Sequence, residues 1–141
     1  FWAGIPEEHV LIYQRDTVLL RTVPETALVW DMIGAPCGTW AADRWTMNGG
    51  LSLRRTSAMH DILKHVRREG NEPEDVYFTR GLRERGGHLP DIRAAVCFAV
   101  ESGDLYLAPP VGIHGTDKLY MTDERATELI NEVWADWDVV I

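Results

Sequence analysis

The residues best suited to chemistry in this chain fall in four short clusters. The first is Gln14-Arg15-Asp16-Thr17, which follows a run of apolar residues. A carboxylate at the end of a buried strand can hold a divalent cation that also grips a diphosphate. Hard oxygen donors and phosphate charge suit Mg2+ or Mn2+. Asp16 can equally cap a turn. The second is Asn48-Gly49-Gly50, running into Leu51-Ser52-Leu53-Arg54-Arg55. Paired glycines either let the backbone approach a bound molecule closely or make a tight turn before a strand. Arg54 and Arg55 are then phosphate contacts or solvent charges, and the segment matches neither a P-loop nor a dinucleotide fingerprint.

The third cluster, Glu72-Pro73-Glu74-Asp75, puts carboxylates in a first helical turn. The helix dipole stabilises them there, and one of the pair can also accept a proton from an attacking hydroxyl. The fourth is Gly112-Ile113-His114-Gly115. A histidine between glycines is open to three roles: metal ligand, phosphate donor or exposed side chain. His9, His60, His65 and His88 carry less signal, since none has zinc-ligand spacing beside a cysteine.

These clusters need elements to hold them. His9–Tyr13 is a short apolar run of the kind buried in a mostly parallel sheet, and Val18 to Leu20 resume it. A short helix is expected over Pro24–Trp30, with Pro at its first turn. Asp31–Thr39, with Gly34, Pro36 and Gly38, reads as irregular after a brief strand. Thr56 is an N-cap candidate for a helix reaching about Glu69, with Met59, Ile62, Leu63 and Val66 on one face. A second helix should start near Pro73 and stop at Gly86-Gly87. A helical turn over Asp91–Ala95 and a strand over Val96–Val100 should follow. A Pro- and Gly-rich loop spans Ala108–Gly115, and a final helix capped at Thr122 carries Ala126, Leu129, Ile130, Val133, Trp134 and Trp137 on one stripe. The alternation predicts an α/β layered domain whose ligand-binding loops lie beyond the carboxyl ends of the strands.

Composition sets the outer limits. At 141 residues, 45% apolar and 26% charged, the chain is expected to be one globular domain able to bury its own core. No repeat or linker divides it. A net charge of −8, from 14 basic and 22 acidic residues, argues against a general attraction for nucleic acid or anionic lipid. No apolar run reaches the roughly 18 residues of a membrane span. The opening residues lack the features of a signal peptide. Phe1, Trp2 and Ile5 form an amphipathic start without Met, so a longer parent polypeptide is expected. Cys37 and Cys97 are expected to be free, buried thiols.

Six motifs in order, Gln-x-Asp-Thr, Gly-Ala-Pro, Asn-Gly-Gly-Leu-Ser-Leu-Arg, Pro-Glu-Asp-Val, Phe-Ala-Val-Glu and Gly-Ile-His, run from about Phe1 to Leu119. The set resembles an uncharacterised, glycosyltransferase-like family of unknown function, itself similar to GT-A enzymes such as the β-1,4-galactosyltransferases. The resemblance implies a partial GT-A (Rossmann-like) fold, a mostly parallel mixed sheet flanked by helices, with the preceding nucleotide-binding half missing. It implies metal-assisted, inverting transfer of a sugar from a nucleotide-sugar donor to a carbohydrate or other hydroxyl acceptor. Asp16 and His114 would ligate Mn2+ or Mg2+, and Gln14 would stand where these enzymes carry the first carboxylate of Asp-x-Asp. Gly49 and Gly50, flanked by Asn48 and Arg54, would border donor and acceptor. Asp75, ahead of Glu74, would be the catalytic base. The alternative is a non-catalytic sugar-binding or interaction module on the same fold.

Overall fold

The computed structural model describes residues 1–37, 45–101 and 110–115. Within them the chain is mixed α/β. Its strands are β1 (His9–Tyr13), β2 (Thr17–Leu19), β3 (Met32–Cys37), β4 (Thr46–Arg55), β5 (Ala99–Glu101) and β6 (Gly112–His114), and its helices are α1 (Thr56–His65), α2 (Glu74–Arg85) and α3 (Ile92–Phe98). The strands form two three-stranded sheets, ordered β1-β4-β3 and β2-β6-β5. None of the described helices is long and apolar enough to cross a membrane.

The expected mostly parallel sheet is corrected. Among the described residues β1–β4, β3–β4 and β2–β6 pair antiparallel, and β5–β6 alone is parallel. An apolar run reports that a strand is covered on both faces, but carries no sign of its neighbour's direction. Both faces of the first sheet are in fact covered. Val10, Ile12, Met32 and Met47 pack into one core with Trp2, Met59, Ile62, Tyr77, Phe78 and Leu82, which brings in α1 and α2. Leu11, Ile33, Leu51 and Leu53 pack into a second core with Phe98, Ala99 and Val111, which brings in α3 and the other sheet. The period-two alternation along β1, β3 and β4 assigns each residue to its side.

Several local expectations shift. The stretch expected to be irregular holds a strand, Met32–Cys37, buried over most of its length, and Gly34 and Pro36 flank a register shift within it; residues 38 and 39 lie outside the described residues. Such irregularities tolerate Gly and Pro that a regular ladder would not. Thr56 does not cap α1; its hydroxyl donates to Glu7 O at 2.6 Å, and its amide to Glu8 O at 2.8 Å. Helix α1 ends at His65 rather than near Glu69, because the buried Tyr77 hydroxyl donates to Val66 O at 2.9 Å and reaches Ile62 O at 3.3 Å, satisfying the terminal carbonyls. Leu63 is exposed. The expected helix at Pro24–Trp30 is a 3-10 turn, Glu25–Val29.

Helix α2 follows its sequence signals closely. Pro73 precedes it, Glu74 and Asp75 occupy its first turn, and Gly86 ends it in the left-handed conformation at φ 71°. Helix α3 starts later than expected, capped by Asp91, whose carboxylate accepts the Ala94 amide at 2.8 Å, and it runs on to Phe98. Cys37 and Cys97 are free thiols, half-buried rather than buried. The final helical stripe from Ala126 to Trp137 and part of the Ala108–Gly115 loop lie outside the described residues.

Candidate functional site

The site is built on an irregularity in the central strand. β4 is paired with β3 at Ser52↔Gly34 and again at Met47↔Pro36. Between those two pairs β4 advances five residues while β3 advances two, so Asn48, Gly49 and Gly50 bulge out of the ladder. The expected turn before a strand is therefore a bulge within one. Side chains take up its amides: Asn48 Oδ1 accepts from Gly50 N at 2.6 Å, and Asp75 Oδ2 accepts from Gly49 N at 3.3 Å. Close approach explains the glycines. A Cβ at Gly49 would stand 2.9 Å from Arg54 Nη2 and 3.0 Å from Glu74 Oε2, and one at Gly50 would fall inside the imidazole of His114.

His114 ends β6, paired across to Thr17 on one side and Glu101 on the other. Gln14 N and Thr17 Oγ1 both donate to Gly50 O, at 2.8 and 3.1 Å, which ties the turn after β1 to the bulge. The imidazole is buried, at 3% exposure, so it is not an exposed bystander. Its Nε2 lies 2.9 Å from Gln14 Oε1 and 3.4 Å from Asp16 Oδ1. Its Nδ1 is buried, makes no hydrogen bond, and faces Glu101 Oε1 at 3.6 Å. Residues 100 apart in sequence thus share one spot.

The donor set fits a divalent cation of the Mn2+ or Mg2+ kind. Three oxygen-bearing side chains surround one buried imidazole, and two of them, Gln14 and Asp16, converge on the same ring nitrogen. Among the described residues no three His, Cys, Asp or Glu side chains form a metal-holding group. The geometry explains why: Asp16 and Glu101 face opposite nitrogens of the ring and cannot close on one ion together. The set is one carboxylate, one imidazole and the Gln14 amide oxygen, and an octahedral ion would take its remaining ligands from phosphate and water.

A cavity of about 500 Å³ opens beside this cluster. Gln14, Asn48, Gly49, Gly50, Arg54, Glu74, Asp75 and His114 line it, together with Phe1 and Ile12. Asp16 does not line it but touches its wall, 3.4 Å from His114 Nε2. Arg54 is neither a solvent charge nor an open one. It is 1% exposed, donates through Nε to Ser52 Oγ at 2.9 Å, and pairs in a fork with both oxygens of Glu74. Its guanidinium sits over the edge-to-face pair of Trp2 and Phe78, 5.9 and 5.5 Å from their ring centroids. Glu74 is therefore the counter-ion of a buried arginine. Asp75 braces the bulge through Gly49 and accepts its neighbour's amide, Val76 N, at 2.8 Å. Arg55 is occupied elsewhere, paired with Asp31 at 3.1 Å.

Sequence reasoning missed the placement of Glu101 against His114. A carboxylate directly after the apolar Ala99-Val100 is the same signal that drew attention to Asp16. The acidic surroundings reach further: the Cys37 thiol is pushed up, chiefly by burial, against the Thr46 hydrogen bond that pulls it down, with Glu101 and Asp75 adding to the rise.

Residues 1–114 match the family described as "Protein of unknown function (DUF5672)", and the chain belongs to that family. No curated protein and no solved structure matches the chain.

Proposed function

We propose that this member of a family of unknown function is a glycosyltransferase domain, the acceptor-side part of a GT-A fold, transferring a sugar from a nucleoside diphosphate donor to a hydroxyl acceptor with inversion. One observation supports the reading: a single cavity is lined both by Gln14 and His114 and by the acidic pair, Glu74 and Asp75. Gln14, Asp16 and His114 would hold Mn2+ or Mg2+, whose charge offsets that of a leaving diphosphate. Asp75 takes the proton of the acceptor hydroxyl as its oxygen bonds to the anomeric carbon and the bond from that carbon to the diphosphate oxygen breaks. Glu74 holds Arg54, and Gly49 and Gly50 let His114, Arg54 and Glu74 close on the backbone beside which the sugar would lie. The Asp75–Gly49 hydrogen bond keeps the base beside that surface.

The test is a panel of nucleotide sugars with Mn2+ and the full-length protein, reading nucleoside diphosphate release and product formation. Release with at least one donor, abolished in Asp16→Asn, is expected. A second reading, a non-catalytic sugar-binding module, draws on the structural partners that both acidic side chains already have, Arg54 for Glu74 and the Gly49 amide for Asp75. Retention on a carbohydrate array without release from any donor would favour it over transfer.

A further inference from the structure

An imidazole that binds a cation does so through the lone pair of one nitrogen, and its single proton then sits on the other. In His114 the nitrogen facing Gln14 and Asp16 is Nε2, so cation binding there leaves the proton on Nδ1. That atom is buried and makes no hydrogen bond, and a buried N–H needs an acceptor. Glu101 Oε1 faces it from 3.6 Å, about half an ångström beyond hydrogen-bond length. The pairing is set by backbone register: β5 and β6 are parallel, and Glu101 and His114 stand directly opposite each other. The Glu101 side chain is 12% exposed, so water does little to screen the pair.

We propose that Glu101 is the positioning residue of the cation site. When a cation binds Nε2, Glu101 accepts Nδ1–H, fixes that tautomer, and holds the ring so that the Nε2 lone pair points to the side occupied by Gln14 and Asp16. Ligating histidines are tuned by such outer carboxylates, whose loss weakens metal binding without removing a ligand. The inference rests on the reading of Gln14, Asp16 and His114 as cation ligands.

The test uses the cation alone. Mn2+ binding to the full-length protein is followed by water-proton relaxation, and the His114 ring by 15N NMR under saturating Mg2+. In the wild type the Mg2+-loaded ring should carry its proton on Nδ1. Glu101→Leu should weaken Mn2+ binding about 10- to 100-fold. Glu101→Gln, which keeps an acceptor oxygen, should fall between. Unchanged Mn2+ affinity in Glu101→Leu would overturn the role of Glu101 and leave the cation site standing, whereas a loaded ring protonated on Nε2 could not hold the cation there and would remove both. If Glu101→Leu does not fold, Glu101→Gln decides, and wild-type Mn2+ affinity in that variant would overturn the role of Glu101. A wild type that binds no Mn2+ would remove the cation reading and this inference together.

Discussion

The backbone of Gly50 packs so closely against His114 that a side chain of any size at position 50 would occupy the space of the imidazole. Gly50→Ala should therefore push the ring away from Gln14 and Asp16. The expected result is Mn2+ affinity at least tenfold weaker, with a stability loss of about 1–3 kcal/mol typical of overpacking. Metal titration beside urea denaturation checks both, and wild-type affinity in a folded Gly50→Ala protein would show that the ring is not held there.

The acidic pair separates by what each side chain touches. Asp75→Asn should lower turnover about a hundredfold or more, the scale of a lost general base, with donor binding little changed. Glu74→Gln leaves the buried guanidinium of Arg54 without its counter-ion. Because Glu74 is half-exposed, the cost should be about 1–2 kcal/mol rather than that of a fully stranded charge. Kinetics normalised to folded protein, with a denaturation curve for each variant, distinguish the two. Normal turnover in Asp75→Asn would remove it as the base.

Tyr77→Phe should loosen the approach to this pair. Its hydroxyl donates to Val66 O just past the end of α1 and lies 3.3 Å from Ile62 O, and the segment from Val66 to Pro73 leads directly into Glu74. Loss of buried hydrogen bonding of this kind costs about 1–2 kcal/mol. Urea midpoints and amide exchange over residues 62–75 are the measurements, and a shift confined to other segments would contradict the assignment.

Acid should weaken the same corner. Arg80 grips Glu72 with two hydrogen bonds of 2.8 Å and holds its carboxyl below the usual range, with the Glu69 amide helping. A folded-state value below the unfolded one stabilises the protein above the ordinary glutamate range, about pH 4, and that contribution is lost as pH falls through the folded value. The urea midpoint should therefore drop between pH 7 and pH 3 in the wild type and drop less in Glu72→Gln. Equal drops would mean that other carboxylates set the acid limb.

How much of this was legible in the sequence depends on the range of the interaction concerned. Helix α2 was readable almost to the residue because Pro73, the acidic first turn and Gly86 act within one helical turn. β1 was readable because its apolar run is continuous. The antiparallel pairing and the strand at Met32–Cys37 were not, since both depend on partners elsewhere in the chain. Asn48-Gly49-Gly50 looked like a turn because nothing local reveals that both flanks pair in one sheet. The sequence singled out Asp16 and His114, which do lie together, yet was silent on Glu101 across the strand and on Glu74 as the counter-ion of Arg54.

The bulge has a consequence for how relatives of this chain can diverge. On one side Thr46 and Met47 are anchored to Cys37 and Pro36; on the other, Leu51 to Arg55 are anchored to Tyr13 through His9. The number of residues between these anchors is fixed by no partner strand. One residue gained or lost beside Asn48 would recut the floor of the cavity while every flanking rung kept its mate, whereas the same change within Leu51–Arg55 would turn each side chain to the wrong face. Length variation at this one point would thus reshape the cavity while the flanking strands keep their register.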